Sequence, residues 1–126
     1  IKMDDKGRVR PDPPSCAKGR YVMTNIPFPE KGNFYFEVTL HSLSDCYSSV
    51  GVVNGSYSGT RNGDTDAGWA VRTYGKHSSF EHKGAMHNKV GKDFNEEWAS
   101  GDKVGVRWNS TKASLTYYKN GVKLGT

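Results

Sequence analysis

Residues 117–125 read Tyr117-Tyr118-Lys119-Asn120-Gly121-Val122-Lys123-Leu124-Gly125. Asn120 and Gly121 are adjacent residues that both tolerate a positive φ, which a two-residue type I′ turn requires. Apolar or aromatic residues flank this pair at strand spacing: Leu115 and Tyr117 before it, Val122 and Leu124 after it. The stretch therefore predicts a β-hairpin with Asn120-Gly121 at its tip.

Upstream of this hairpin, residues 34–40 predict a half-buried strand, because their side chains alternate in character. One face of that strand carries Phe34, Phe36, Val38 and Leu40, and the other carries Tyr35, Glu37 and Thr39. Further short strands are predicted at 50–53, 69–72, 103–108 and 113–118. The polar stretch 73–97 predicts irregular structure with one short strand near Phe80. Turn signals that recur about every ten residues indicate an all-β fold, an antiparallel β-sandwich of two sheets.

The length and composition fit one small domain. We expect the 126 residues to form a single unit, with an irregular N-terminal segment over 1–20 and a sandwich body over 21–126. No apolar run approaches the ~20 residues that a membrane-spanning helix needs, so no membrane partner is expected. Cys16 and Cys46 stand at no metal-like spacing. Two such thiols favour a reducing, intracellular compartment, either cytoplasm or nucleus.

The net charge of +5 leaves two kinds of partner open. A basic balance can indicate nucleic acid or an acidic protein. The lysines and arginines are scattered, however, and no run of five or more occurs. This dispersion favours an ordinary solvated surface over a nucleic-acid footprint.

A long loop follows the predicted strand at 50–53. Residues 54–68 contain no large aliphatic side chain, and they include Tyr57 and Arg61. Loops of this length are uncommon in compact domains and are often functional. The loop is therefore the first candidate for a binding site.

Four segments together resemble the signature of the SPRY domain family, over roughly residues 7–125. They are Gly32-Asn33-Phe34-Tyr35-Phe36-Glu37-Val38, Val50-Gly51-Val52, Gly68-Trp69-Ala70-Val71, and Gly101-Asp102-Lys103-Val104-Gly105-Val106 running on to Leu115 and the Tyr118-Lys119-Asn120-Gly121 hairpin. The resemblance implies a bent antiparallel sandwich with binding loops at one rim. It also implies a non-catalytic adaptor or scaffold module that docks a protein or a short peptide.

The same resemblance assigns part of a partner-binding rim. Tyr57 resembles the loop tyrosine with which the SPRY domains of SOCS-box proteins clasp an extended peptide, and Arg10-Pro11 lies where those proteins line the same pocket. Tyr and Arg are typical hot-spot residues. The full candidate set is Arg8, Arg10, Pro11, Tyr57, Arg61 and Tyr74. Two alternatives stay open: Tyr57 folded onto its own sheet, and Arg10 as a solvated charge.

The chain also departs from the family pattern at its C-terminus. A typical member continues after the hairpin through closing strands that supply part of the pocket, whereas this sequence stops at Thr126. We expect those strands either to be lost or to be supplied by another chain through strand complementation.

No motif of catalysis, metal binding or cofactor binding is present in the sequence. There is no nucleophile elbow, Walker or dinucleotide motif, and the spacing of His77, His82 and His87 suits no zinc site. Asp64 and Asp66 lie in a polar stretch where nothing apolar would raise a carboxyl pKa. No cofactor and no enzymatic activity are expected. The alternatives to protein docking are an RNA-associated domain, a carbohydrate-binding domain and a structural subunit of a large assembly.

Overall fold

The computed structural model describes residues 2–6, 8–10, 27–41, 48–55, 68–74, 77–83, 85–87 and 97–126. The strands in these ranges are β1 (Lys2–Met3), β2 (Val9–Arg10), β3 (Asn33–Thr39), β4 (Ser48–Val53), β5 (Gly68–Tyr74), β6 (His77–His82), β7 (Ala85–His87), β8 (Lys103–Asn109), β9 (Ser114–Lys119) and β10 (Val122–Gly125). For β1, β2, β7 and the adjoining ends of β5 and β6, the description is limited to the backbone.

The strands form two four-stranded antiparallel sheets and a small separate hairpin. Sheet I has the order β10-β9-β8-β3, and sheet II has the order β4-β5-β6-β7. The strands β1 and β2 pair with each other as a two-stranded sheet. The described residues contain strands and turns but no helix. The predicted all-β, antiparallel, two-sheet sandwich is confirmed.

The core lies between the inner faces of the two sheets. Val71 comes from sheet II, and Val104, Val106 and Tyr117 come from sheet I; all are at most 1% exposed. Tyr117 meets Phe80 of sheet II edge to face, with ring centroids 5.6 Å apart. Burial raises the pKa of Tyr117 above its ordinary value. Apolar contact across the gap therefore joins the sheets, as strand alternation predicts.

The β9–β10 hairpin has the predicted turn. Lys119 pairs directly with Val122, so the loop contains two residues. Their φ angles are +50° at Asn120 and +81° at Gly121, as a type I′ turn demands.

Asn120 also ties this turn to the start of β8. Its Oδ1 accepts a hydrogen bond from the Lys103 amide at 2.8 Å, and its Nδ2 donates to Asp102 Oδ1 at 2.8 Å. The other Asp102 oxygen accepts the Ala99 amide at 2.8 Å. The hydrogen bond from Asn120, together with that from Ala99, holds the pKa of Asp102 below its ordinary value of 3.8. Asn120 thus stabilises the turn and joins it by hydrogen bonds to residues 102 and 103 at the start of β8.

Three features differ from the sequence-based expectations. The described part of residues 73–97 contains the end of β5 and two further strands, β6 and β7, where one short strand near Phe80 was predicted. The alternation of β6 is hard to see in the sequence because Phe80 is its only large apolar residue, and its buried outward residues, Ser79 and Glu81, are polar. Val38 belongs to the apolar face of β3 by alternation, yet it is 37% exposed. Within the first twenty residues, where irregular structure was expected, the structure describes the β1–β2 hairpin.

We expect Asn120→Asp to destabilise the domain more than Asn120→Gly does. Aspartate accepts positive φ and keeps the acceptor, but it places a carboxylate oxygen against Asp102 where Nδ2 now donates. The expected losses are about 2 kcal/mol for aspartate and about 1 kcal/mol for glycine, measured by urea unfolding at neutral pH. Equal losses for the two variants would contradict the role given to the Asn120–Asp102 hydrogen bond.

The lowered pKa of Asp102 makes its contribution to stability depend on pH. A carboxyl whose pKa falls on folding stabilises the native state above its unfolded pKa, and this contribution is lost as the pH falls through the folded value. The difference in unfolding free energy between the wild type and Asp102→Asn should therefore be largest near neutrality. It should shrink steadily below about pH 4, as measured by urea titrations at each pH. A difference that does not change with pH contradicts the assignment.

Candidate functional site

The long loop predicted from the sequence begins and ends at paired residues of sheet II. Val53, the last residue of β4, lies opposite Gly68, the first residue of β5. The chain between them, residues 54–67, is therefore held together at its base by the strand ladder. Tyr57 and Arg61 lie in the part of this loop outside the described residues.

An aromatic pair supports the C-terminal end of the loop. Trp69 lies directly opposite His82, and their rings stack at 4.7 Å with an interplanar angle of 10°. His82 Nδ1 lies 2.8 Å from the carbonyl oxygen of Gly68. Since a carbonyl can only accept, Nδ1 carries the proton and donates. The Gly68 carbonyl, where the loop re-enters the sheet, is thus held by a hydrogen bond, and the next residue, Trp69, is held by ring stacking.

The N-terminal candidates lie in and beside the β1–β2 hairpin. Arg8 Nε donates to Asp4 Oδ2 at 2.6 Å, and the Arg8 amide donates to Asp4 Oδ1 at 2.9 Å. These hydrogen bonds, with the backbone one from Arg8 the strongest influence, lower the pKa of Asp4. The guanidinium of Arg8, half exposed, is therefore held by the hairpin itself. Arg10 pairs through its backbone with Lys2, and Pro11 lies outside the described residues.

Tyr74 ends β5, opposite His77 of β6. Its position is described only through this backbone pairing. Of the six predicted site residues, the structure places Arg8 and Arg10 in one hairpin and Tyr74 at a strand end of sheet II. That these residues lie together with Tyr57 and Arg61 in one binding site stays a prediction.

The outer face of sheet II carries a buried ion pair that the sequence did not reveal. Arg72 Nη1 lies 2.6 Å from Glu81 Oε1, and their side chains are 13% and 4% exposed. Ala70 and Ser79 on the same face are also buried. This face therefore points away from the core and yet exposes little of these side chains. The only sequence signal for the pair is a charged residue in each of two adjacent predicted strand regions.

The outer face of sheet I is different, because it is exposed and aromatic. Tyr35 is 45% exposed, its hydroxyl donates to Glu37 Oε1 at 2.8 Å, and its ring meets Tyr118 edge to face at 5.7 Å. The ring lies over Gly105, where a Cβ atom would collide with the Tyr35 hydroxyl. Desolvation and the Glu37 carboxylate raise the pKa of Tyr35 to about 12. The sequence signal is a glycine inside a strand, which often marks close approach of another group.

A shallow groove borders the edge strand β10. It has a volume of about 270 Å³ and is lined by Lys119, Asn120, Val122 and Leu124. In the described part of the chain, no cluster of three or more His, Cys, Asp or Glu side chains is placed to hold a metal ion. The same part contains no helix long and apolar enough to cross a membrane.

Comparison with known proteins agrees with the sandwich topology. A sequence profile described as the SPRY domain matches residues 33–126, which include both sheets. The chain belongs to the SPRY domain family. SPRY domains generally act as protein-interaction modules, and the match excludes the β1–β2 hairpin.

One curated relative is similar to this SPRY domain over most of its length. It is the dual specificity protein kinase splA of Dictyostelium discoideum, 32% identical over 109 residues. The match covers 83% of this chain but only 4% of the kinase. The similarity is therefore to a small part of a much larger protein.

We expect His82→Phe to loosen the loop base while leaving sheet I unaffected. Phenylalanine can keep the stack on Trp69 but cannot donate to the Gly68 carbonyl. Loss of one such hydrogen bond, about 1 kcal/mol, should speed amide exchange at residues 68–70 about fivefold. Hydrogen–deuterium exchange measures this directly. Amides of β8 and β9 provide the internal control, and a uniform acceleration across both sheets would contradict a local role.

Proposed function

We propose that this SPRY domain is a non-catalytic adaptor or scaffold module. In this proposal it binds a partner protein or a short peptide at a rim formed by the loop over residues 54–67. Arg8, Arg10, Pro11 and Tyr74 supply further contacts. The general role of the family in protein interaction supports the class of function.

The observation that carries the proposal is the closure of the loop base. Because Val53 and Gly68 are paired, the loop leaves and re-enters the sheet at neighbouring points. The Trp69–His82 stack and the Gly68 hydrogen bond hold the return point. Binding residues are commonly found on loops that a rigid scaffold positions in this way. Tyr57 and Arg61, as residue types, then supply a flat amphipathic ring and a fork of donors.

The proposal also places the protein inside the cell, in the cytoplasm or nucleus. Cys16 and Cys46 lie outside the described residues, and their spacing suits no metal site. In a reducing compartment both would remain thiols.

A peptide-display selection on the immobilised domain tests the rim. Peptides selected on the wild type should bind the double variant Tyr57→Ala, Arg61→Ala at least about tenfold more weakly, since each lost hot-spot side chain costs more than ~1 kcal/mol. Isothermal titration calorimetry gives the affinities, and circular dichroism verifies that the variant folds.

The control is Lys31→Ala, Lys112→Ala, which removes two exposed side chains from turns that belong neither to the rim nor to the outer face of sheet I. It should leave the affinity of the selected peptides unchanged. A selection that yields no binder, or binders held equally by the rim variant and the wild type, would overturn the proposed rim. If the rim bound single-stranded RNA selectively and bound no peptide, the domain would be an RNA-binding module instead.

A further inference from the structure

The outer faces of the two sheets differ in what they offer to a partner. On sheet II, Ala70, Ser79 and Glu81 are all less than one-tenth exposed. On sheet I, the outward positions of β3 and β8 are largely exposed. Six outward side chains of sheet I form a surface that we call the Tyr35 face: Tyr35, Glu37, Lys103, Arg107, Tyr118 and Lys123. This face is the open one.

Tyr35 and Tyr118 form the aromatic centre of the Tyr35 face, and contacts within the domain already hold the Tyr35 ring in place. Tyr35 fills the gap above Gly105, rests edge to face against Tyr118, and donates its hydroxyl to Glu37. Tyr35 as a whole residue is nevertheless 45% exposed. An aromatic side chain already fixed in one conformation loses little entropy on binding, which is why rigid tyrosines make effective anchors.

The charges around this centre favour an acidic partner. The face carries three cations, Lys103, Arg107 and Lys123, against the single carboxylate of Glu37. That carboxylate is already engaged, since it accepts the Tyr35 hydroxyl and lies 3.7 Å from the Lys103 ammonium.

Two of the cations remain available for a partner. Arg107 has one long hydrogen bond, 3.4 Å to Asn33 Oδ1, and Lys123 forms no ion pair with a described residue. Arg107 stands directly opposite Tyr35 across the strand pair, and Lys123 stands opposite Tyr118. Cross-strand neighbours have Cβ atoms about 4.5–5.5 Å apart. The cations therefore flank the aromatic centre on both sides.

We propose that the Tyr35 face is a second docking surface, separate from the loop rim, and that it binds an acidic segment of a partner polypeptide. Carboxylates of the segment pair with Arg107 and Lys123, and its apolar atoms cover the Tyr35 ring. Arg presents a planar fork that matches a carboxylate. Complementary charge speeds encounter and sets the register, while the fixed ring supplies apolar contact.

The ring geometry favours a polypeptide over single-stranded nucleic acid. A stacking platform offers parallel ring faces to successive bases. Tyr35 and Tyr118 lie at 82° to each other, so they cannot both present faces to adjacent bases. The test therefore compares binding of an acidic polypeptide with binding of a single-stranded nucleic acid.

Fluorescence anisotropy with fluorescein-labelled poly-L-glutamate and the whole 126-residue chain tests the surface. Charge reversal by Arg107→Glu and Lys123→Glu together should weaken binding at least about tenfold. Tyr35→Ala, which changes no charge, should weaken it about fivefold. Gly105→Ala retains Tyr35 but displaces its ring, and it should weaken binding to a similar extent. Thermal unfolding verifies that each variant folds.

Two controls separate this surface from general charge and from the rim. Lys6→Glu, in the turn of the β1–β2 hairpin, reverses a charge outside sheet I. The double variant Tyr57→Ala, Arg61→Ala alters the proposed rim. Both should leave poly-L-glutamate binding unchanged. In ¹⁵N spectra, poly-L-glutamate should shift the amides of β3, β8, β9 and β10.

Three results would overturn the proposal. The first is no binding at low salt. The second is equal weakening by Lys6→Glu and by Tyr35→Ala, which would indicate a general charge effect. The third is binding of poly-uridylate that exceeds that of poly-L-glutamate and depends on the same residues. Because the two proposals rest on different residues and different ligands, failure of this one leaves the rim proposal standing, and the reverse also holds.

Discussion

The contact between Tyr117 and Phe80 is the interaction on which the two-sheet arrangement rests. Tyr117 is 1% exposed and reaches across the gap to sheet II, where Phe80 receives its ring. Strand alternation then determines the rest of β9: with Tyr117 inside, Tyr118 must lie outside. A slip of one residue would exchange the two tyrosines and expose the core face. The same register places Asn120 at the turn, where it reaches Asp102.

The sequence predicted the elements whose signals are local. Asn120-Gly121 specifies its turn through φ alone, and the alternation in residues 34–40 and 103–108 specifies two strands of sheet I. The strands β6 and β7 were harder, because Phe80 is the only large apolar side chain of β6 and the buried outward residues of that strand are polar. Local pattern cannot show that polar residues such as Ser79 and Glu81 will be buried. For the same reason the Arg72–Glu81 pair was missed.

The candidate site was predicted less completely than the fold. The position of a loop between two strands follows from the sequence, and the pairing of Val53 with Gly68 agrees with it. The support beneath the loop did not follow, because the stack of His82 on Trp69 depends on the register between β5 and β6. The linear sequence also did not predict the Tyr35 face. Its parts come from four strands, and only the pairing of Gly105 with Glu37 and Tyr118 brings them together.

The buried Arg72–Glu81 pair limits how this domain can change over evolutionary time. Each charge is tolerated at low exposure because the other lies 2.6 Å away. Removing Arg72 leaves the Glu81 carboxylate buried without this ion-pair partner, and breaking a buried pair in this way typically costs about 3–5 kcal/mol, whereas replacing both residues with well-packed apolar ones is often neutral. That cost is comparable to the whole stability of a small domain. The two positions are therefore expected to change together. A lineage that loses the pair must either pass through a strongly destabilised single variant or replace both residues nearly at once.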